Sequence, residues 1–188
     1  MRFEIKQFYS KNQPGFTLME LMVVIAIIGV LSAIVLPGML KPEHKIKKVA
    51  RELLGDMQKT RMSAIRSSSD WAIVFEPANN RYLICSDRGA DASWTNIADN
   101  TIMKTVTFRD YASGIQYGSS PANFDATKAK NPLPADPISY NPDVVTFNST
   151  GTCQSGWVYL DFSGVTYAVG TLSTGIIRIR RWSSGDWR

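Results

Sequence analysis

Hydrophobic positions along this chain change period twice. From Phe16 to Leu36 they are almost continuous, 21 residues with the single charge of Glu20. At about 1.5 Å of rise per helical residue such a run matches the roughly 30 Å core of a bilayer, which predicts a membrane-spanning helix over 16–36. From Glu43 the apolar residues thin out to three- and four-residue steps: Ile46, Val49, Ala50, Leu53, Met57, Ala64 and Ile65. That spacing puts them on one face of an amphipathic helix, with Lys47, Lys48, Arg51, Glu52, Lys59 and Arg66 on its other sides. Pro37-Gly38 and Lys41-Pro42 separate the two patterns. Proline removes a backbone donor and clashes with the preceding turn, so a kink or a short melted segment is expected there.

Ser67-Ser68-Ser69-Asp70 ends the helical pattern, and the period drops to two. Trp71–Glu76 and Arg81–Ser86 flank Pro77-Ala78-Asn79-Asn80 and read as a hairpin with a four-residue loop. Thr101–Phe108 is a third strand and Gly114–Tyr117 a short one. Val144–Asn148, Gly156–Phe162, Val165–Thr171 and Gly175–Trp182 follow as four strands separated by Gly, Ser, Thr and Asn turns. Within Gly156–Phe162, Trp157, Tyr159 and Asp161 alternate with Val158, Leu160 and Phe162, giving one core-lining face and one partly polar face. Residues 87–100 and 118–143 lack a period, and the second carries five prolines; both read as variable surface loops, the second a candidate subunit contact. The expected class is α+β, with a long N-terminal helix packed on an antiparallel one- or two-sheet C-terminal domain.

Glu20 changes the meaning of the apolar run. An acidic residue inside a span costs roughly 2.5–3.5 kcal/mol on insertion scales, and polar groups kept there have partners. A cation is therefore sought near Glu20. Upstream, Pro14-Gly15 breaks any helix, and a short leader carries Arg2, Lys6 and Lys11 against Glu4. Cleavage after Gly15 would free an ammonium on Phe16, four residues from Glu20 in the same helix and also within reach of Glu20 on a neighbour in a parallel bundle. A secretory signal would have a shorter apolar region and a small-residue cleavage site. Because Lys41, Lys45, Lys47 and Lys48 flank the far end of the run as strongly as the leader flanks the near end, charge alone leaves its orientation open.

The basic leader, Gly15, Phe16-Thr17-Leu18-Met19-Glu20 and the unbroken apolar helix resemble the class III prepilin signal of type IV pilins and type II secretion pseudopilins. The resemblance implies cleavage after Gly15 and N-methylation of Phe16 by a prepilin peptidase. It further implies that Glu20 steers docking into a growing filament, that an inner-membrane assembly platform is a partner, and that the helix is loosened at Pro37. Farther along, Glu52-Leu53-Leu54 through Arg61, Phe75-Glu76-Pro77, Val145 to Gly151, Gly156 to Leu160, and Thr174-Gly175-Ile176-Ile177-Arg178 ending in Trp187 resemble the GspH/FimT family of minor pseudopilins and pilins. The domains implied are a leader at 1–15, a transmembrane helix at 16–36, a kink and amphipathic helix at 37–68, and a periplasmic β domain at 69–188. The function implied is that of a minor pseudopilin at or near the tip of a type II secretion pseudopilus, a single-pass inner-membrane protein whose partners are other pseudopilins or pilins. The alternative is a minor type IV pilin that primes pili or binds DNA.

Composition narrows the chemistry. Net charge is +5 over 188 residues, but residues 41–66 hold eight basic and three acidic side chains while 67–177 hold six and ten. A slightly acidic body between two basic zones is not the profile of a general nucleic-acid binder. Arg178 and Arg180 project to one face of the last strand, with Arg181 beyond, as a candidate nucleic-acid or subunit contact. FimT-like DNA receptors carry Gly-Arg-x-Arg in this region, whereas here Ile176 follows Gly175. Cys85 and Cys153 can form one disulfide or remain buried thiols. His44, the only histidine, has no second imidazole or nearby cysteine, and the acids of 87–100 do not match a calcium loop. No phosphate loop, Cys-x-x-Cys or serine relay is present, so no catalytic residue, metal or cofactor is expected.

Overall fold

The computed structural model describes residues 15–39, 42–127 and 129–188, with the side chains of 34–39 outside the description. The leader expected at 1–15 therefore lies, except for Gly15, outside the described residues. Two units form, residues 1–40 and residues 41–188. In the first, α1 (Leu18–Met39) is continuous through Pro37 and Gly38. The kink or short melted segment is expected between Pro37 and Pro42, and the helix has no break at Pro37 itself. Pro37 lies in the last turn, where losing one donor does not interrupt the hydrogen bonds of the turns before it. Leu40 and Lys41, the remaining place for a break, lie outside the described residues. Among the described residues no helix is long and apolar enough to cross a membrane.

In the second unit, α2 (Pro42–Ser67) starts with Pro42 and Glu43, a proline and an acid suited to a helix N-terminus, and carries Arg66 in its last turn. Ser68 then adopts φ +52°. Ser69 N–H donates to Ala64 O at 3.2 Å and Ser68 N–H to Ile65 O at 3.3 Å, which closes the helix with a Schellman turn. Ile46, Val49, Ala50, Leu53, Met57 and Ala64 are fully buried. Burial of side chains of this size contributes roughly 1.5–3 kcal/mol each for the larger ones. Ile65 is exposed instead, and the polar Asp56 and Thr60 join the buried stripe.

Two antiparallel sheets complete the unit. The first contains β1 (Trp71–Glu76), β2 (Arg81–Asp87), β3 (Thr101–Thr107) and, after the strand of the second sheet named next, β5 (Val144–Phe147), in the order β3-β2-β1-β5. The second contains β4 (Gln116–Tyr117), β6 (Gly156–Phe162), β7 (Val165–Thr171), β8 (Ile177–Ser183) and β9 (Asp186–Trp187), in the order β4-β6-β7-β8-β9. Ile73, Phe75, Tyr82, Ile84, Val145 and Phe147 of the first sheet meet Val158, Leu160, Tyr167 and Val169 of the second, and α2 packs into the same cluster. Alternation in the strands thus delivers one inner face per sheet.

The outer faces are covered by the two stretches without a period. Trp94 and Ile97 pack on Ala72, Val74, Leu83, Cys85 and Val144. Phe124, Ala126 and Leu133 pack with Trp157, Tyr159, Ala168, Trp182 and Trp187. Ile138 and Tyr140 enter the main core, and Ile138 bridges Val158 along the edge of β6. Residues 87–100 and 118–143 are therefore surface loops that also cover the sheets, anchored through these side chains. Single large side chains hold them, with no repeat to betray their burial. Likewise β8 starts at Ile177, because Gly175 (φ +79°) belongs to the turn before it and donates to Leu172 O at 2.8 Å. Arg61 of α2 donates through Nε to Gly151 O at 2.8 Å, and a Cβ on Gly175 would collide with that same carbonyl. Three separated stretches named in the sequence thus converge at the C-terminal part of α2.

Candidate functional site

The start of α1 is closed by its own side chains. Thr17 occupies the position before the helix, its carbonyl accepting from Leu21 N–H at 3.2 Å. Its hydroxyl accepts from Glu20 N–H at 3.2 Å, while Glu20 Oε2 accepts from Thr17 N–H and from Thr17 Oγ1–H, both at 3.1 Å. This is a capping box, and it satisfies donors that a helix start leaves open. The carboxylate therefore has partners within a single chain, whereas the sequence reading looked only for a cation. Thr17-x-x-Glu20 is the local signature from which the cap could have been read. Gly15 and Phe16 precede the helix, with Phe16 89% exposed.

Beyond the cap, every side chain described in α1 is exposed, and its apolar residues, Leu18, Leu21, Val23, Ile27, Ile28 and Leu31 among them, lie all round the helix. Ser32, the one hydroxyl within it, donates to Ile28 O at 2.7 Å. The helix thus offers apolar surface with its backbone and side-chain polarity satisfied internally, as lipid or other apolar helices require. Pro37 has helical backbone, and its side chain lies outside the description.

The three arginines of β8 separate. Arg178 is exposed, and the Arg180 guanidinium lies 5.7 Å from the ring centre of Trp157, on the outer face with Ala168. Arg181 has the parity of Ile177 and Ile179, and its Nη1 pairs with Glu43 at 2.6 Å, tying β8 to the first turn of α2. Its backbone exchanges hydrogen bonds with Arg188 at 2.7 and 2.9 Å. Arg181 is therefore a structural cation and not part of one surface with Arg178 and Arg180.

A buried polar group that the sequence reading missed ties α2 to the first sheet. Asp56 Oδ2 accepts from Tyr82 Oη–H at 2.7 Å and from Lys104 Nζ at 2.7 Å, and Lys104 also reaches Glu52 at 2.7 Å. Asp56 is only 6% exposed, where a polar group without such donors would be costly.

Cys85 and Cys153 are unbridged in this structure. Cys85 belongs to the outer-face cluster of the first sheet, whereas Cys153 packs against the main core and donates to Leu172 O at 3.4 Å. Burial pushes the Cys85 thiol up to about 11 and raises Cys153 as well. Thiolate is the reactive form. Neither should react with a disulfide reagent within minutes at neutral pH, and both should titrate once guanidinium unfolds the chain without reductant; a count of zero after unfolding would mean a bridge. His44 is exposed, and among the described residues no group of three or more His, Cys, Asp and Glu side chains is placed to hold a metal.

Residues 10–36 match the family described as the prokaryotic N-terminal methylation motif. Among curated proteins the chain is similar to the type IV major pilin protein PilA of Myxococcus xanthus (strain DK1622). The two are 38% identical over 103 residues, covering 50% of this chain and 46% of that protein. The chain thus spans about half the length of this relative. Among solved structures it is similar to two of the minor pseudopilin EpsH from the type II secretion system of Vibrio cholerae, each with a TM-score of 0.46. Identity is 14% and 15%, with 71% and 74% of this chain and 94% and 95% of those chains covered.

Proposed function

We propose that this chain, one of the type IV pilins and pseudopilins by the N-terminal methylation motif it carries at residues 10–36, is a minor pseudopilin of a type II secretion system. Pilins and pseudopilins are structural proteins, and the work of such a chain is assembly. The observation that carries the reading is the start of α1: a Gly15-Phe16 junction outside the helix, a carboxylate at Glu20, and an uncovered apolar surface behind it.

In this role a prepilin peptidase removes residues 1–15 and methylates the new amine of Phe16, which keeps its positive charge. Glu20 then has two classes of partner, the Thr17 donors of its own cap and the ammonium of a neighbouring subunit. Pairing with the ammonium neutralises both charges in an apolar surrounding, where an unpaired charge is costly, and so sets the axial register of one helix against the next. Pro37 gives α1 a weak point in its last turn. The inner membrane holds α1, the leader faces the cytoplasm, and the β domain lies in the periplasm, where it meets other pseudopilins and supports export of folded proteins.

Mass spectrometry of the protein purified from membranes tests this most directly. The expected N-terminus is Phe16 bearing one methyl group; an intact leader would overturn the filament role. The similarity to a type IV major pilin supports a second reading, a minor type IV pilin that primes pili or captures DNA through Arg178 and Arg180. Deleting the gene separates the two: loss of secreted folded proteins with pili intact belongs to the first, and loss of pili with secretion intact to the second.

A further inference from the structure

We propose that the outward face of the first turns of α2, formed by His44, Lys47, Lys48 and Arg51 with Lys45 at its flank, is a docking surface for anionic phospholipid headgroups. The inference rests on the membrane anchoring of α1 argued above. His44, Lys47, Lys48 and Arg51 recur at three- and four-residue steps, opposite the buried Ile46, Val49, Ala50 and Leu53. The core therefore holds one side of the helix and leaves the cationic side turned away from it.

The acids on the same stretch are engaged from elsewhere. Glu43 is taken by Arg181 at 2.6 Å, and Glu52 and Asp56 share the single Lys104 at 2.7 Å each, which leaves that pair one net negative charge. Among the described residues no carboxylate lies within 4.0 Å of Lys45, Lys47, Lys48 or Arg51. Like charges three and four residues apart on a helix repel, so this stripe is unfavourable for the isolated fold and is relieved by an external anion. Two features shape it. Lys48 Nζ lies 5.3 Å from the ring centre of Tyr111, which steadies the ammonium without neutralising it. A shallow hollow of about 500 Å³ opens between His44, Lys47, Lys48, Arg51 and Gly55, with the Lys104-paired acids Glu52 and Asp56 also in its wall, and no atom lies within 4 Å of where a side chain on Gly55 would begin.

Charge complementarity and chain length together select the occupant. Lys45 follows Leu36, the end of the apolar run, by only nine residues, a tether of at most about 32 Å even when fully extended, so an anchored α1 keeps this face near the headgroup layer. Phosphodiesters suit both side chains, Arg51 as a two-pronged donor and the lysines as point charges. Docked this way, the domain rests against the bilayer surface, and leaving the membrane for a filament requires breaking those contacts.

The test uses the full chain reconstituted in vesicles of zwitterionic phosphatidylcholine, or of the same lipid with about a third phosphatidylglycerol. Surface lysines are acylated briefly and quantified by mass spectrometry, with exposed Lys59 on the same helix as internal control. Anionic lipid should slow acylation at Lys45, Lys47 and Lys48 about fivefold each, leave Lys59 unchanged, and lose its effect in about 0.5 M salt. Equal rates in both lipids would overturn the proposal. So would protection in the zwitterionic vesicles that grows with protein density, since the occupant would then be a second copy. Washing with alkaline carbonate reports on the anchor separately: a chain that washes off overturns the membrane reading and the docking with it, whereas a retained chain with no lipid effect overturns the docking alone.

Discussion

Replacing Asp56 with alanine is expected to lower the stability of residues 41–188 by about 3 kcal/mol, a loss of roughly 10 °C in Tm, read by near-ultraviolet circular dichroism of the detergent-solubilised chain. Removing one partner of a buried pair costs about 3–5 kcal/mol, and the figure is set at the low end because Lys104 keeps 36% of its side chain in water. The substitution orphans the Tyr82 hydroxyl, which is fully buried and has Asp56 as its partner. Asp56→Asn retains an acceptor for Tyr82 and should cost less. A loss below about 1 kcal/mol for Asp56→Ala would show that the network is ornamental.

The same group sets a pH dependence. Burial opposes the charge on Lys104, but the hydrogen bonds to Asp56 and Glu52 outweigh it and hold its pKa above the usual 10.5. Burial, aided by the hydrogen bond to Asp56, keeps the Tyr82 phenol protonated well above its usual 10.0. Both groups bind their protons more tightly in the fold than in the unfolded chain. Their contribution is complete below about pH 10 and is lost as pH rises through the folded values. Wild-type stability should therefore fall above that point, and less steeply in Asp56→Ala.

Glu20→Gln should enter the membrane at least as well as the native chain yet join filaments at least tenfold less efficiently. A glutamine oxygen accepts from Thr17 as the carboxylate does, so the helix start survives. What disappears is the charge, with its roughly 2.5–3.5 kcal/mol insertion cost and its attraction for the Phe16 ammonium of a neighbour. A charge-assisted hydrogen bond contributes about 1.5–3 kcal/mol, enough for a tenfold to hundredfold effect at each contact. Thr17→Ala is the complementary change, losing about 1 kcal/mol of cap with the charge intact. Carbonate-resistant membrane protein and the yield of sheared filaments measure the two steps. If the glutamine variant assembles as well as the native protein, the cap alone is what Glu20 supplies.

Much of the fold can be read without coordinates, because period is a local property. The six fully buried apolar residues of α2 and the main β-strands follow from spacing. Failures cluster where burial depends on distant partners. Asp56 lies in the apolar stripe but is polar, and its place there depends on Tyr82 and Lys104, 26 and 48 residues away. Trp94, Ile97, Phe124, Leu133 and Ile138 act singly and leave no repeat, so their loops read as surface alone. Arg181 could have been separated from Arg178 and Arg180 by alternation alone, since the strand read over Gly175–Trp182 already contains it. Its pairing with Glu43 could not.

For the N-terminal unit, the order of residues by itself determined the essentials: an apolar helix, a break before Phe16, an acid at the fourth position after it, and a threonine placed to cap. These are contacts within a single turn, where spacing along the chain is spacing in the helix. Only the tertiary structure decided which cations pair with Glu43, Glu52 and Asp56, which loops roof the two sheets, and hence which basic side chains of α2 remain without an acid among the described residues. Pairings of that kind join residues tens to more than a hundred positions apart, and a charge in the sequence carries no mark of the partner that folding will bring to it.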